Sequence, residues 1–191
     1  MNIPELLRLL HNLIRLGTIA EVDHGDAEAD PPRPPRVRVK TGELLTDWLP
    51  WIEGRAGTTR DWDPPTKSEQ VMIFSPGGDP AAGVVLTGLF SDAHPAPADS
   101  AALWRRLFPD QGLFEYDHAN SVLRIRLPGA IEISAPGGTT WQGNIQHTGE
   151  LNRQGGYQQQ GGGLTHNGKN VGHDHAHSGI QPGPANTQGP I

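Results

Sequence analysis

The sequence predicts a mainly β protein: an N-terminal helix, a small barrel, and a slender C-terminal half that only several chains together can build. Three observations carry this. The first 127 residues hold 31 of the 36 charged side chains and four of the five tryptophans, whereas residues 128–191 hold fifteen of the 25 glycines. The two halves are therefore different materials. Between residues 17 and 90, short β-like runs alternate with Asp/Pro/Gly-rich loops. Beyond Gly138, apolar residues become solitary: Trp141, Ile145, Leu151, Tyr157, Leu164, Val171 and Ile180.

Composition narrows the function classes. Hydrophobic content is 35%, below the ~45–50% usual for globular chains, so part of the chain should be extended. The net charge of −6 disfavours nonspecific binding to nucleic acid, and no nucleic-acid partner is expected. The chain has no cysteine, so no disulfide frame can form. No apolar run approaches the ~20 residues that span a bilayer. Glu5, Arg8, His11 and Arg15 interrupt the apolar N-terminus, and no small-residue cleavage site follows; the reading is synthesis in the host cytoplasm without a signal peptide.

Taken in order, residues 1–16 read as a helix. Asn2 followed by Glu5 resembles a capping box, Pro4 suits a first turn, and Gly17 suits the stop beyond the last turn. Its leucine-rich stripe is wide for so short an element, which points to a docking role as well as to core packing. Strands are expected at 18–22, 36–40, 47–52, 70–74 and 84–89. Arg36-Val37-Arg38-Val39-Lys40 alternates as a half-buried strand should. Five strands after a helix suggest a Greek-key barrel of the OB type. Trp48, Trp51 and Trp62 could stack on nucleic acid, but carboxylates lie among the few nearby cations, so packing is the better reading.

Residues 92–110 read as a linker, with a helical turn over 100–108. Strands are then expected at 113–117, 122–127 and 130–133, with a turn at His118-Ala119-Asn120. From Ile145 to Val171 the apolar residues recur every six or seven positions. One apolar residue per polar repeat cannot bury itself within one chain. Multiplied by three around an axis, such residues make a narrow continuous core, an intertwined triple-stranded β-helix.

The last motif is Gly172-His173-Asp174-His175-Ala176-His177-Ser178-Gly179-Ile180. In a strand, alternate side chains share a face, so His175 and His177 present two imidazoles together. Three chains would supply six, enough for a six-coordinate first-row metal; imidazole suits Fe, Ni, Cu or Zn. A filled coordination sphere is structural rather than catalytic. A His173/His175 pair has the same spacing and competes on spacing alone. His147 and His166 stand isolated.

Arg36-Val37-Arg38-Val39, Thr46-Asp47-Trp48-Leu49-Pro50-Trp51, Arg55-Ala56-Gly57, Arg60-Asp61-Trp62-Asp63-Pro64-Pro65, Glu69-Gln70-Val71 and Pro76-Gly77-Gly78-Asp79 occur in that order. They resemble the baseplate assembly protein V family, the central spikes of contractile phage tails and phage-tail-like bacteriocins. The resemblance covers residues 17–90 and returns at His175-Ala176-His177-Ser178-Gly179-Ile180. Ser68 stands where glycine is common in the family, Ile180 where valine is, and the acidic Pro-rich stretch 26–35 is a loop variation.

The resemblance implies a non-enzymatic homotrimer in the baseplate of a virion or tail-like particle. Its parts would be the helix at 1–16, an OB-fold collar at 17–91, a linker at 92–110, a triple-stranded β-helix spike at 111–172 and a metal-binding apex at 173–191. It implies one structural iron ion per trimer, held by His175 and His177 of each chain, leaving His173 as a flanking residue. It also implies docking on the tail hub at the N-terminal side and piercing of the bacterial outer membrane at the tip. A trimeric tail fibre or adhesin is the alternative, but the motif occurs once and too few residues follow it for a receptor-binding head. A metal hydrolase would need further Asp, Glu or His near the motif.

Overall fold

The computed structural model describes residues 2–173 and 175, which divide into two units at the junction of Ser134 and Ala135. The first opens with helix α1 (Ile3–Asn12), capped by the Asn2 side chain, which accepts a 3.0 Å hydrogen bond from the Glu5 amide. The Glu5 carboxylate pairs with Arg8 rather than closing a capping box. The helix ends at Asn12, short of residue 16. Asn12 is buried and accepts from the Arg15 guanidinium at 2.9 Å, and the chain passes at once into strand β1 (Ile14–Asp23).

Gly17 is therefore not a helix stop. It sits inside β1, where a Cβ would lie 2.4 Å from Val39 Cγ1 and 2.9 Å from the Lys40 carbonyl. Glycine is required there by the close approach of the neighbouring strand.

Strands β2 (Arg36–Thr41), β3 (Leu44–Leu45), β4 (Gln70–Phe74) and β5 (Val84–Leu89) complete a five-stranded antiparallel sheet, ordered β3-β2-β1-β4-β5. The first half of β1 pairs with β4 and the second half with β2, with a bulge between Ile19 and Glu21.

Residues 47–52, expected to be a strand, form no continuous ladder. They make single bridges instead: Leu49 exchanges hydrogen bonds with Val37 (2.8 and 2.9 Å), and Val85 donates to the Pro50 carbonyl at 2.9 Å. The segment thus joins the β2 edge to β5 and closes the sheet into an OB-like barrel. Pro50 has no N–H to give a regular ladder. Inside lie Ile19, Val37, Val39, Leu49, Val71, Ile73 and Val85, all essentially solvent-free. Each such side chain contributes roughly 1.5–3 kcal/mol by leaving water. Thr46 supports the wall: its hydroxyl accepts from the Val39 amide at 2.9 Å.

A second, three-stranded antiparallel sheet follows: β6 (Leu103–Leu107), β7 (Leu113–Asp117) and β8 (Val122–Arg126). β6 replaces the linker and helical turn read from the sequence, and the sheet spans the expected boundary at 110/111. The reason is an ion-pair cluster. Arg105, Glu115 and Arg124 stand side by side across the three strands, and Glu115 accepts from both arginines. Residues 130–133 are not a strand.

In the second unit the ordered ladder is a small hairpin of β9 (Thr165–His166) and β10 (Lys169–Asn170), closed by Asn167 and Gly168. Both turn residues have positive φ (50° and 75°), the conformation that Asn-Gly hairpin turns adopt.

Candidate functional site

Three surfaces are candidates for function: the tryptophan cluster on the barrel, the apolar face of α1, and the histidine segment. Trp51 is half-buried against the barrel core, and its indole N–H donates to Glu53 Oε1 at 2.9 Å. The same oxygen accepts from the Asp63 amide at 3.1 Å. One carboxylate thus pins the ring and the following loop. Trp62 packs on Trp51 at 5.9 Å and edge-on to His24 at 6.1 Å. Trp48 lies beneath the Arg38 guanidinium at 5.9 Å. These rings pack against one another and the barrel, with Glu53, Asp61 and Asp63 around them.

Helix α1 is fixed by its backbone. A Cβ on Gly78 would lie 2.3 Å from the Leu9 carbonyl oxygen, so only glycine lets the loop pass so close. With α1 held this way, Ile3, Leu6, Leu7 and Leu10 face solvent. Ile14 and Leu16 of β1, also exposed, extend the apolar surface onto the barrel.

In the second unit Trp141, Ile145, Leu151, Tyr157, Leu164 and Val171 are all exposed, and no described residue of this unit is buried. The hairpin ends where the Val171 amide donates to the Leu164 carbonyl at 2.9 Å. Sequence reading missed this hairpin, although His166-Asn167-Gly168-Lys169 carries the Asn-Gly turn signal.

Immediately beyond, the Gly172 amide donates to the Asn170 side chain at 2.8 Å, and the Gly172 carbonyl accepts from both the His175 amide (3.2 Å) and His175 Nδ1 (2.7 Å). A carbonyl can only accept, so Nδ1 is the donor in this contact, and in a neutral ring Nε2 would be the acceptor nitrogen. That tautomer suits a metal ligand, with Gly172 as the orienting partner. His177 lies outside the described residues. His173 lines a separate cavity of about 370 Å³ with Tyr157, Leu164 and Asn170. His166 bonds the adjacent Asn167. Among the described residues no three His, Asp or Glu side chains gather to hold a metal.

Comparison with known proteins gives this arrangement its setting. Residues 15–90 match the Type VI secretion system/phage-baseplate injector OB domain, a range that coincides with the barrel from β1 through β5. The chain is also 38% identical to the spike protein of Escherichia phage P2 over 139 residues, covering 73% of this chain and 62% of that protein. Both matches point to the baseplate spike family.

The matched OB domain is the part with a finished core. The chain spans less than two thirds of the P2 protein's length. Among the described residues no helix is long and apolar enough to cross a membrane.

Proposed function

We propose that the chain is a homotrimeric, non-enzymatic central spike of a phage tail or tail-like particle. In this reading the α1 face and barrel dock on the tail hub, and the C-terminal half pierces the bacterial outer membrane as the sheath contracts. The observation that carries it is the row from Trp141 to Val171: six apolar side chains, each exposed, in a unit with no buried residue among those described. Three such rows around an axis would bury one another as a triple-stranded β-helix. Similarity to a baseplate injector OB domain and to the phage P2 spike protein supports the same reading.

His175 and His177 of each chain would hold one iron ion at the apex. Bound there, the metal would supply a cross-link between three chain ends. Termini fray unless tied down, and a driven point cannot afford to. The hydrogen bond from His175 to Gly172 orients one of the two ligands for that role.

Native mass spectrometry of the full chain tests the proposal. A mass of three chains plus one first-row metal is expected, with the metal lost in the His175→Ala/His177→Ala variant. A single-chain mass, or one metal per chain, would overturn it. A trimer without metal that binds intact cells through its C-terminal end would favour a fibre.

A further inference from the structure

Packing accounts for Trp51 but not for Trp62. Trp51 is half-buried against the core, whereas Trp62 is 59% exposed although it lies on Trp51 and His24. The two indoles line a cavity of about 290 Å³ with Glu53, Arg55, Arg60 and Asp61. A small turn shapes one wall: the Asp61 amide donates to the Arg55 carbonyl at 3.0 Å, and Ala56 bridges Arg60. The Asp61 carboxylate lies against the backbone at Gly54, in the room that a side chain there would take.

Both signs of charge stand in this lining in equal number, Arg55 and Arg60 against Glu53 and Asp61. They do not neutralise one another by contact. Among the described residues neither arginine forms an ion pair, and the Asp61 carboxylate accepts no hydrogen bond. Glu53 uses only Oε1, on the Trp51 indole and the Asp63 amide, which leaves Oε2 to a ligand.

We infer that this cavity is a binding site for a neutral saccharide. The site lies within the barrel domain and is independent of the trimeric reading. An exposed indole offers a flat apolar surface on which the C–H face of a pyranose ring packs. Each ring hydroxyl both donates and accepts, so it can give its proton to a carboxylate while receiving one from a guanidinium. A lining with both kinds of group satisfies it. The balanced charge gives no net pull on phosphates, which need an excess of cations. Two guanidinium groups beside the rings likewise disfavour a cationic ligand.

The place in the fold agrees. Pro35, the last residue of the β1–β2 connection, also lines the cavity, and OB barrels take oligonucleotides or oligosaccharides beside that connection. The charge balance decides between the two. The volume lies just under the ~300–1,000 Å³ of small-molecule sites. A second cavity of about 520 Å³ shares Glu53, Arg60, Asp61 and Trp62, so a short oligosaccharide has room to run from one into the other past Trp62.

Saturation-transfer-difference NMR and isothermal titration calorimetry on the full native chain test this. The probes are N-acetylated chitotriose, with the acetamido rings of a cell-wall glycan, and maltotriose, with the plain hexoses of a surface polysaccharide. Saturation should pass to the ring protons of at least one probe. Trp62→Ala should weaken that binding by about tenfold. Asp61→Asn changes one exposed group and should weaken it a few-fold, which keeps the test decisive where circular dichroism shows that Trp62→Ala has lost the barrel. A preference for chitotriose would support the site as a reader of wall glycan, and a preference for maltotriose as a reader of surface polysaccharide. No transfer to either probe, or binding that both variants leave unchanged, would overturn the inference. So would binding of a single-stranded oligonucleotide in place of the sugars.

Discussion

The barrel and the segment from Ala135 onward answer the same problem, how to remove apolar side chains from water, in opposite ways. The barrel gathers seven aliphatic side chains from β1, β2, β4, β5 and the 47–52 segment into one core. From Ile145 to Val171 the second unit spaces its apolar residues six or seven apart along a polar, glycine-rich chain and buries none of them. The first design needs only its own sequence. The second, in the proposed trimer, would leave its folding energy to partners, as repeat architectures do when each unit cannot cover itself. One chain thus contains a domain with its own core and a segment whose stability, in the proposed trimer, would depend on assembly.

The sharpest way to break this contrast is to delete the same side chain in both places. Leu49→Ala should destabilise the barrel by about 2–5 kcal/mol, as large-to-small changes in sealed cores do, with a melting temperature independent of protein concentration. Leu151→Ala removes an exposed side chain and should leave the barrel transition untouched. In the proposed trimer it removes three contacts at once, so the loss should appear in a second, concentration-dependent transition. Differential scanning calorimetry at two concentrations reads both. A concentration-independent loss for Leu151→Ala would show that the second unit is buried within its own chain.

The same contrast explains what the sequence disclosed. Where one chain buries its own face, periodicity shows it. Val37 and Val39 alternate with Arg36, Arg38 and Lys40, and β2, β4, β5 and β7 lie where alternation or apolar runs place them. Where tertiary contact decides, local signals misled. Gly17 looked like a helix stop, yet serves the approach of Val39. β6 was hidden because its inward residue is Arg105, a cation whose partner Glu115 comes ten residues later. Residues 47–52 read as a strand because Trp48, Leu49, Trp51 and Ile52 have strand character, but their bonds are shared between two strands. At the candidate metal site the sequence named His175 and His177, while the contact of His175 Nδ1 with the Gly172 carbonyl arises from a local turn that spacing does not reveal.

A smaller effect separates the barrel from the β6–β8 sheet through pH. Hydrogen bonds from Arg105, then from Arg124, hold the Glu115 carboxyl below the ordinary carboxylate range. Asp117 is lowered too, first by the Asn120 side chain and then by its backbone amide, with Arg124 adding to it. A carboxylate lowered in the folded state stabilises fully above its unfolded pKa, about 4. That stabilisation is lost as pH falls through the lowered folded value. The melting temperature of Glu115→Gln should lie below that of the wild type at neutral pH, and the gap should close as pH falls below about 4. The barrel core contains no ionised side chain and gives no such slope. A gap that stays constant into acid would mean that the cluster contributes through packing rather than charge.

The smallest expected change strengthens the barrel and leaves the rest alone. The turn 66–69 is closed by the Glu69 amide donating to the Thr66 carbonyl at 3.1 Å, and Ser68 occupies its third position with φ 74°. That position of such a turn favours glycine, the residue that the resemblance places there. A side chain in the left-handed region costs about 1–2 kcal/mol. Glycine in turn adds about 0.5–1 kcal/mol of unfolded-state entropy. Because the strain is the larger quantity, Ser68→Gly should stabilise the barrel by about 0.5–1 kcal/mol and raise its melting temperature by a few degrees. The turn also presents the Ser68 amide to the Ile19 carbonyl at 2.9 Å, a bond that glycine retains. The transition assigned to assembly should not move, because the gain arises within one chain. A lower barrel melting temperature would mean that the serine hydroxyl contributes more than its backbone strain costs, and that this position in the barrel is held by its side chain.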